Sequence, residues 1–369
     1  MKLSPLQRRR WANFRANRRA FWSFGVFLTL FILSLFAEFI ANDRPIVLSY
    51  KGDLSFPVFG GNYMEEQFGG DPGMLAQLND PLIHCLIVTG GLDACFGDSA
   101  AVMADAADGT VAGAKIDKGW MLWPAIPYSF NTINYGVGQA PSSPDSAHWL
   151  GTDDQTRDVV ARIIYGFRIS VLFALIVAGS ASILGIIAGA VQGYFGGWLD
   201  LIFQRLVEIW SSTPSLYVII ILAAIFSMSF PLLCILIVAF SWTSLVGVVR
   251  AEFLRARNFE YVRAARALGV RDRTIMFRHV LPNAMVATLT LLPFLITSAI
   301  SSLAVLDYLG FGLPASYPSL GELALQGKNY VTKPWLGFSA FSIFALMLSL
   351  LVFIFEGVRD AFDPRKTFR

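Results

Sequence analysis

The chain has 369 residues, of which 55% are hydrophobic and only 15% charged, and its formal net charge is +3. Its mean hydropathy is +0.57. A soluble domain carries about 25% charged residues, so an ordinary water-soluble globule is excluded and a chain solvated largely by lipid is expected.

In chain order, the first element is a basic tail over residues 1–20, with Lys2, Arg8, Arg9, Arg10, Arg15, Arg18 and Arg19 and no acid. A first apolar run, Phe21–Ala41, follows. It is long for a signal peptide, and its exit "SLFAEFIAND" lacks a small-x-small cleavage pattern, so it reads as a retained span. Residues 42–160 form a long segment with five Lys/Arg against fifteen Asp/Glu. Its flanks "SFPVFGGNY" and "MLWPAIPYSFNTINYG" read as short extended strands and turns. Its middle, "CFGDSAAVMADAADGTVAGAKIDKGW", reads as a mobile, loosely packed loop. Five further apolar runs follow at Ile169–Tyr194, Ile209–Met228, Leu232–Val249, Met285–Leu306 and Gly337–Phe355. Each is long enough, or nearly so, to cross about 30 Å of hydrocarbon. The expected fold is therefore an all-α polytopic membrane protein with six transmembrane helices and a large segment of short strands and loops after the first.

Charge orients these spans. With six of them, residues 1–20, the 195–208 connection, the 250–282 insert and the tail after residue 358 share one side. That side holds most of the basic residues, eight Lys/Arg against three acids in the insert alone. The positive-inside rule makes it cytoplasmic. The acidic 42–160 segment then lies outside, where thiols can oxidise. A disulfide between Cys85 and Cys95, ten positions apart, is expected there, with two unrelated thiols as the alternative. Cys234 lies in a span and reads as a small packing residue.

Within the second span, Gly185, Gly189 and Gly193 recur every four residues. They line one helix face and allow close helix approach where lipid supplies no hydrophobic drive. The contact expected is with a neighbouring helix, in this chain or across a subunit interface; the bland alternative is that Gly is simply commoner in membrane helices. Pro214 and Pro293 each remove a backbone donor and are expected to kink their spans.

Catalytic and metal-binding patterns are missing from the sequence. It contains no GxSxG, HExxH or GxxxxGK[ST]. "GELALQGKN" (Gly321–Asn329) has the wrong glycine spacing and Asn where a phosphate loop has Ser/Thr. His84, His148 and His279 lack ligand spacing. Glu38, Glu208 and Glu356 sit near span ends rather than forming a mid-membrane proton relay. These features describe a conduit that takes its energy from a partner, not an enzyme; a stand-alone secondary transporter or channel is the alternative.

The insert "EYVRAARALGVRDRTIMFRHVLPNA" reads as helix, glycine turn, helix. Over Phe259–Leu268, Tyr261, Ala264, Ala265 and Leu268 follow i, i+3, i+4, i+7 as one apolar face, with Glu260 and Arg263 opposite. Gly269 suits a left-handed helix end. Asp272 can cap the second helix, and Pro282 disfavours helix at Leu281 and should end it. These properties fit equally a surface that docks a partner and one that lies on anionic lipid.

This stretch resembles the EAA loop of permease subunits of ATP-binding-cassette (ABC) importers, in the form found in dipeptide and oligopeptide transporters. Ala264, Ala265, Gly269, Leu281 and Pro282 match; Arg263 stands where the motif has Glu, and His279 where it has Ile. "WLGTDDQTRDVVARIIYGFRISVLFAL" (Trp149–Leu175) is similar to that family's LGTDxxGRDxxSR stretch. Here Thr156 replaces a Gly and Ala161 a Ser. "LDYLGFGLPASYPSLGELAL" resembles the loop before the family's last span, and the N-terminal part is similar to the Yej-type branch, which takes up peptides and the peptide-nucleotide antibiotic microcin C. The 85–118 stretch goes beyond that pattern.

The resemblance implies a type I importer permease of the bacterial inner membrane, with both termini cytoplasmic and the 42–160 segment periplasmic. A permease core over 161–358 would contain the coupling loop at 250–283. Glu260, Tyr261, Ala264, Ala265, Leu268, Gly269 and Pro282 would dock an ABC ATPase. A second homologous permease completing a heterodimer, a periplasmic peptide-binding protein and a peptide substrate are the other implied partners, and nucleic acid is not among them. ATP and Mg would belong to the ATPases and no cofactor to this chain.

Overall fold

The computed structural model describes residues 5–106, 110–111, 114–115 and 118–362. The ends of the expected basic tail and C-terminal tail, and parts of the 85–118 stretch, lie outside the described residues. The chain forms two compact units. One comprises Met1–Ile32 and Gly166–Arg369, the other Leu33–Tyr165.

The 33–165 unit contains the short helix α3 (Ala37–Ile40) and a three-stranded antiparallel sheet of order β2-β1-β5 (Asp53–Ser55, Val47–Tyr50, Trp120–Leu122). Leu48 pairs with Ser55 on one side and Met121 on the other. Against the sheet packs α4 (Pro81–Thr89). Asp80 accepts from the Leu82 N–H at 2.8 Å, and Pro81 takes the first turn, where its missing donor costs nothing. Leu48, Phe68, Ile83, Leu86 and Ile87 make the core. Cys85 and Cys95 are bonded there, with Cα atoms 5.8 Å apart.

Ser55–Tyr63, read as short strands and turns, is strand only to Ser55 and turn beyond it, while the middle of the segment differs from the sequence reading. Pro57 starts a 3-10 turn, and Gly60 and Gly61 take positive φ of 102° and 126°, a chain reversal that extended pairing cannot follow. The supposed loose loop contains a helix, α5 (Ser99–Asp105). Asp98 accepts from the N–H groups of Ala100 and Ala101 at 3.1 Å, and Val102 and Met103 pack on the core. A cap and a run of good helix formers outweigh the low-complexity composition. Beyond α5 the described residues include the pair β3 (Thr110–Val111) and β4 (Ala114–Lys115).

The other unit is helical. α1 (Pro5–Ala16) leads into α2 (Arg18–Leu35), and after α6 (Val159–Phe195) come α7 (Gly197–Ser212), α8 (Ser215–Ile225), α9 (Phe230–Ser241) and α10 (Thr243–Ala256). Then follow α11 (Glu260–Ala267), α12 (Asp272–Thr274), a π-turn over Ile275–Val280, α13 (Leu281–Tyr308), α14 (Leu320–Asn329) and α15 (Pro334–Phe362). Four helices, α2, α6, α13 and α15, are long and apolar enough to cross a membrane, and up to six spans result if each of the bent pairs α7–α8 and α9–α10 counts as one.

The expected 195–208 connection is helical, because α7 begins at Gly197. At Pro214 the chain breaks rather than kinks, and α7 and α8 meet at 67°. Thr213, ahead of the proline, is extended at ψ 123°, as the ring's clash with the preceding residue dictates. Pro293 is carried inside α13.

Candidate coupling site

The site begins with α6 and α10. A Cβ at Gly185 would stand 2.6 Å from the Trp242 carbonyl oxygen, one at Gly189 2.7 Å from that of Val246, and one at Gly193 2.5 Å from that of Arg250. No larger residue fits these distances, so the glycine row seats α6 directly on the α10 backbone of the same chain. α7 is tied to α10 by a bidentate ion pair, Arg250 Nε and Nη2 donating to Asp200 at 2.5 and 2.8 Å.

α10 ends in the insert. Phe259, extended at ψ 147°, precedes α11, and Gly269 follows it at φ +75°. The Gly269 N–H donates to the Arg266 carbonyl at 3.0 Å and the Val270 N–H to that of Ala265 at 3.1 Å. This pair of bonds is a Schellman end, which only a left-handed residue at 269 completes. Val262 is fully buried against Ala190 and Tyr194 of α6, Val249, Phe253 and Ala256 of α10, and Ile275, Met276 and Val280 of the π-turn, with Ala265 and Val270 at the margin. Tyr194 closes the contact. Its hydroxyl donates to Asp272 Oδ1 at 2.5 Å and accepts from Arg266 Nε at 3.2 Å, while the Arg266 guanidinium lies 4.6 Å over its ring.

The opposite side of α11 is open. Tyr261 is 41% and Leu268 83% exposed, and Glu260, Arg263 and Ala264 are exposed with them. The expected apolar face is thus divided. Tyr261, Ala264 and Leu268 face outward, while Ala265 is half-buried. Glu260 and Arg263 lie on the open side too, because Glu260 and Ala264 are four apart on one face.

Three other expectations change. Asp272 does not cap: it is the first residue of α12, Arg271 precedes it as the cap, and its carboxylate serves Tyr194. Pro282 does not end the helix. Leu281 is helical at φ −54°, ψ −44°, and the π-turn runs straight into α13 with Pro282 in its first turn; a proline lacks only the donor that an i→i+5 turn already displaces. Sequence reasoning missed Val262, Tyr194 and Arg266. Val262, Ala265 and Val270 are the signal for the buried side, masked by the stronger periodicity of Tyr261, Ala264 and Leu268.

A second constellation is built at the start of α6, within the 33–165 unit. Asp153, wholly buried, accepts from the backbone N–H groups of Gln155 and Arg157 and from Arg157 Nε at 2.6 Å, with Arg162 Nη1 at 3.4 Å. Asp158 caps α6 by accepting from the Ala161 N–H at 2.8 Å, and its other oxygen lies 2.9 Å from His148 Nδ1. Asn134 Nδ2 lies 3.0 Å from His148 Nε2; the tautomer with Nδ1–H donating to Asp158 satisfies both contacts. Asp145, which accepts from the His148 and Ala147 N–H groups, has its carboxyl held below the usual carboxylate range by these bonds. Thr156 sits at φ +60°, a left-handed position that suits glycine. Its hydroxyl accepts from the Asn134 N–H at 3.0 Å. Among the described residues no cluster of three or more His, Cys, Asp or Glu could hold a metal.

Residues 181–368, which contain the insert, α10 and the glycine-bearing half of α6, match the family described as binding-protein-dependent transport system inner membrane component. The chain belongs to this family. The permease also matches the N-terminal transmembrane domain of oligopeptide transport permease C over residues 4–53. It is 51% identical to the peptidoglycan transport system permease protein YejE of Agrobacterium fabrum, covering 99% of this chain and 95% of that one. It is 49% identical to the inner membrane ABC transporter permease protein YejE of Escherichia coli, covering 99% of each. With the oligopeptide transport system permease protein OppC of Bacillus subtilis it shares 35% identity over 64% of this chain and 78% of that one. The permease is a transport subunit of the ABC importer class.

Proposed function

We propose that this permease forms one half of a heterodimeric peptide importer of the bacterial inner membrane and is driven through α11 by a cytoplasmic ATPase. The peptide substrate is supported by the names of the relatives, which are oligopeptide, dipeptide and peptidoglycan transport permeases. Docking through α11 rests on one observation. A short helix is fixed from behind by Val262 and the Tyr194–Asp272 bond, yet it leaves Leu268 83% exposed. A rigid helix with an uncovered apolar edge and flanking charges has the make-up of the centre and rim of a protein interface. ATP and Mg belong to the ATPase, and a periplasmic binding protein delivers substrate to the other side. With six spans, the insert, α1 and the end of α15 share the cytoplasmic side, and the 33–165 unit is periplasmic.

Force applied to α11 passes to α6 by two routes, Val262 packing and the Tyr194 hydroxyl, and from α6 to α10 through the glycine row. The test is photo-crosslinking from a photoreactive residue at position 268 in the complete importer. A cross-link to the ATPase subunit, gained and lost with nucleotide, is expected; labelling of lipid alone would overturn docking. The stand-alone transporter is not favoured, because the relatives that match over 99% of the chain are named as transport-system and ABC transporter permeases.

A further inference from the structure

α1 plays no part in the scheme above. It carries Arg8, Arg9, Arg10 and Arg15 and no acid, and Arg18 and Arg19 follow it. It folds against the last turns of α15, where Phe14, Ala20 and Ala361 are buried together with Phe24 and Val358 at the edge. Gly357 makes the approach possible, since a Cβ there would overlap the Ala20 methyl.

Beside this contact lies a cavity of about 630 Å³, walled by Arg10 and Trp11 of α1, Phe24 of α2, Leu289 of α13, and Ile354 and Val358 of α15. Its size is that of a small-molecule site. Apart from Arg10, its walls are almost wholly hydrocarbon and aromatic ring. A peptide would leave its backbone N–H and C=O groups without partners there, so this is not a substrate site. Arg10 holds its guanidinium 4.4 Å over the Phe362 ring, and a stacked guanidinium keeps its edge donors for an anion.

We propose that this cavity binds one anionic phospholipid. An acyl chain fills the apolar space between α1, α13 and α15, and the headgroup phosphate is held by Arg10 with the neighbouring arginines of α1 as its field. Charge complementarity selects this occupant. A zwitterionic lipid supplies the chain without the net charge, and Glu356 and Asp360 are the acids of the adjoining α15 turns, the latter 4.0 Å from Arg359.

The test uses the complete importer in nanodiscs with phosphatidylglycerol or phosphatidylcholine carrying a photoreactive acyl chain, the cross-linked peptides being mapped by mass spectrometry. Labelling of Phe24, Ile354 and Val358 is expected to favour phosphatidylglycerol about fivefold, the effect of one arginine near a charged membrane surface. Arg10→Gln should reduce it to the phosphatidylcholine level. Val358→Phe, which projects a ring into the cavity, should reduce labelling by both lipids. Arg205→Gln, an exposed arginine of α7, should change nothing. Equal labelling by the two lipids, insensitivity to Arg10→Gln, or cross-links from a photoreactive residue at 358 to protein rather than lipid would each overturn the proposal. Lipid labelling is read without transport, so its failure leaves the importer reading standing, and a failure of that reading leaves the lipid site standing.

Discussion

The loop at 148–162 and the insert at 259–282 are written in similar residues and use them in opposite ways. Both space arginines and aspartates closely. In the first, Arg157, Arg162, Asp153 and Asp158 are all at most 3% exposed, with carboxylates met by guanidinium and backbone N–H donors. In the second, Arg263, Arg271 and Arg273 are exposed, and the buried side belongs to Val262, Ile275 and Val280. The difference teaches where each region places its stability. The loop spends its charges on a fixed local structure, because a buried ion that loses its partner is left uncompensated. The insert anchors itself with hydrocarbon and leaves Leu268 outside, forgoing about 1.5–3 kcal/mol of burial that a docked partner would restore.

If this contrast is right, mutations in the loop change stability and mutations on the open face of the insert change transport. The largest effect is expected from Asp153→Asn, which leaves Arg157 and Arg162 without their central carboxylate. It should destabilise the 33–165 unit by about 3–5 kcal/mol, seen as an earlier thermal transition in detergent. An unchanged transition would break the contrast at once. Next is Gly189→Val, which forces the α6 and α10 backbones apart at a cost of about 1–3 kcal/mol or more. It should lower stability and uptake together, since it strikes the seat of the insert and not its face. Cys85→Ser should cost about 2–3 kcal/mol for a loop of this size and sharpen the comparison by weakening the 33–165 unit alone, with nucleotide-dependent cross-linking from position 268 unaffected. The smallest effects are expected at Thr156. Thr156→Gly relieves a left-handed β-branched residue, worth about 1–2 kcal/mol, and loses one hydrogen bond of about 0.5–1.5 kcal/mol, so the two nearly cancel. Thr156→Val keeps the strain and removes the part-buried Asn134 N–H bond, and should cost about 0.5–1.5 kcal/mol.

The features legible in the sequence were those set by local chemistry. Gly269 announces a left-handed helix end, and Gly185, Gly189 and Gly193 announce a close contact, because in each case only the absence of a Cβ permits the geometry. The helix read over Phe259–Leu268 follows from periodicity, and the structure has it over Glu260–Ala267. What periodicity cannot say is which side of an amphipathic helix faces its own chain. The run Tyr261, Ala264, Leu268 is the more regular, yet Val262 is the buried one, because α6 and α10 present Tyr194, Val249 and Phe253 to that side. Long-range pairs stayed hidden for the same reason. Tyr194–Asp272 and Asp200–Arg250 are 78 and 50 residues apart in sequence. His148 looked isolated until the fold set it 2.9 Å from Asp158. The π-turn at 275–280 was invisible because Pro282 normally marks a helix boundary, and here the irregular turn absorbs it.

The central claim is that the exposed edge of α11 carries the drive. The direct test is ATP-dependent peptide uptake into proteoliposomes by the complete importer bearing Leu268→Asp, measured beside its thermal transition. An exposed substitution alters stability by no more than about 0.5 kcal/mol. The account predicts an unchanged transition with uptake and uptake-coupled ATP hydrolysis lost. Normal uptake at normal stability would contradict it.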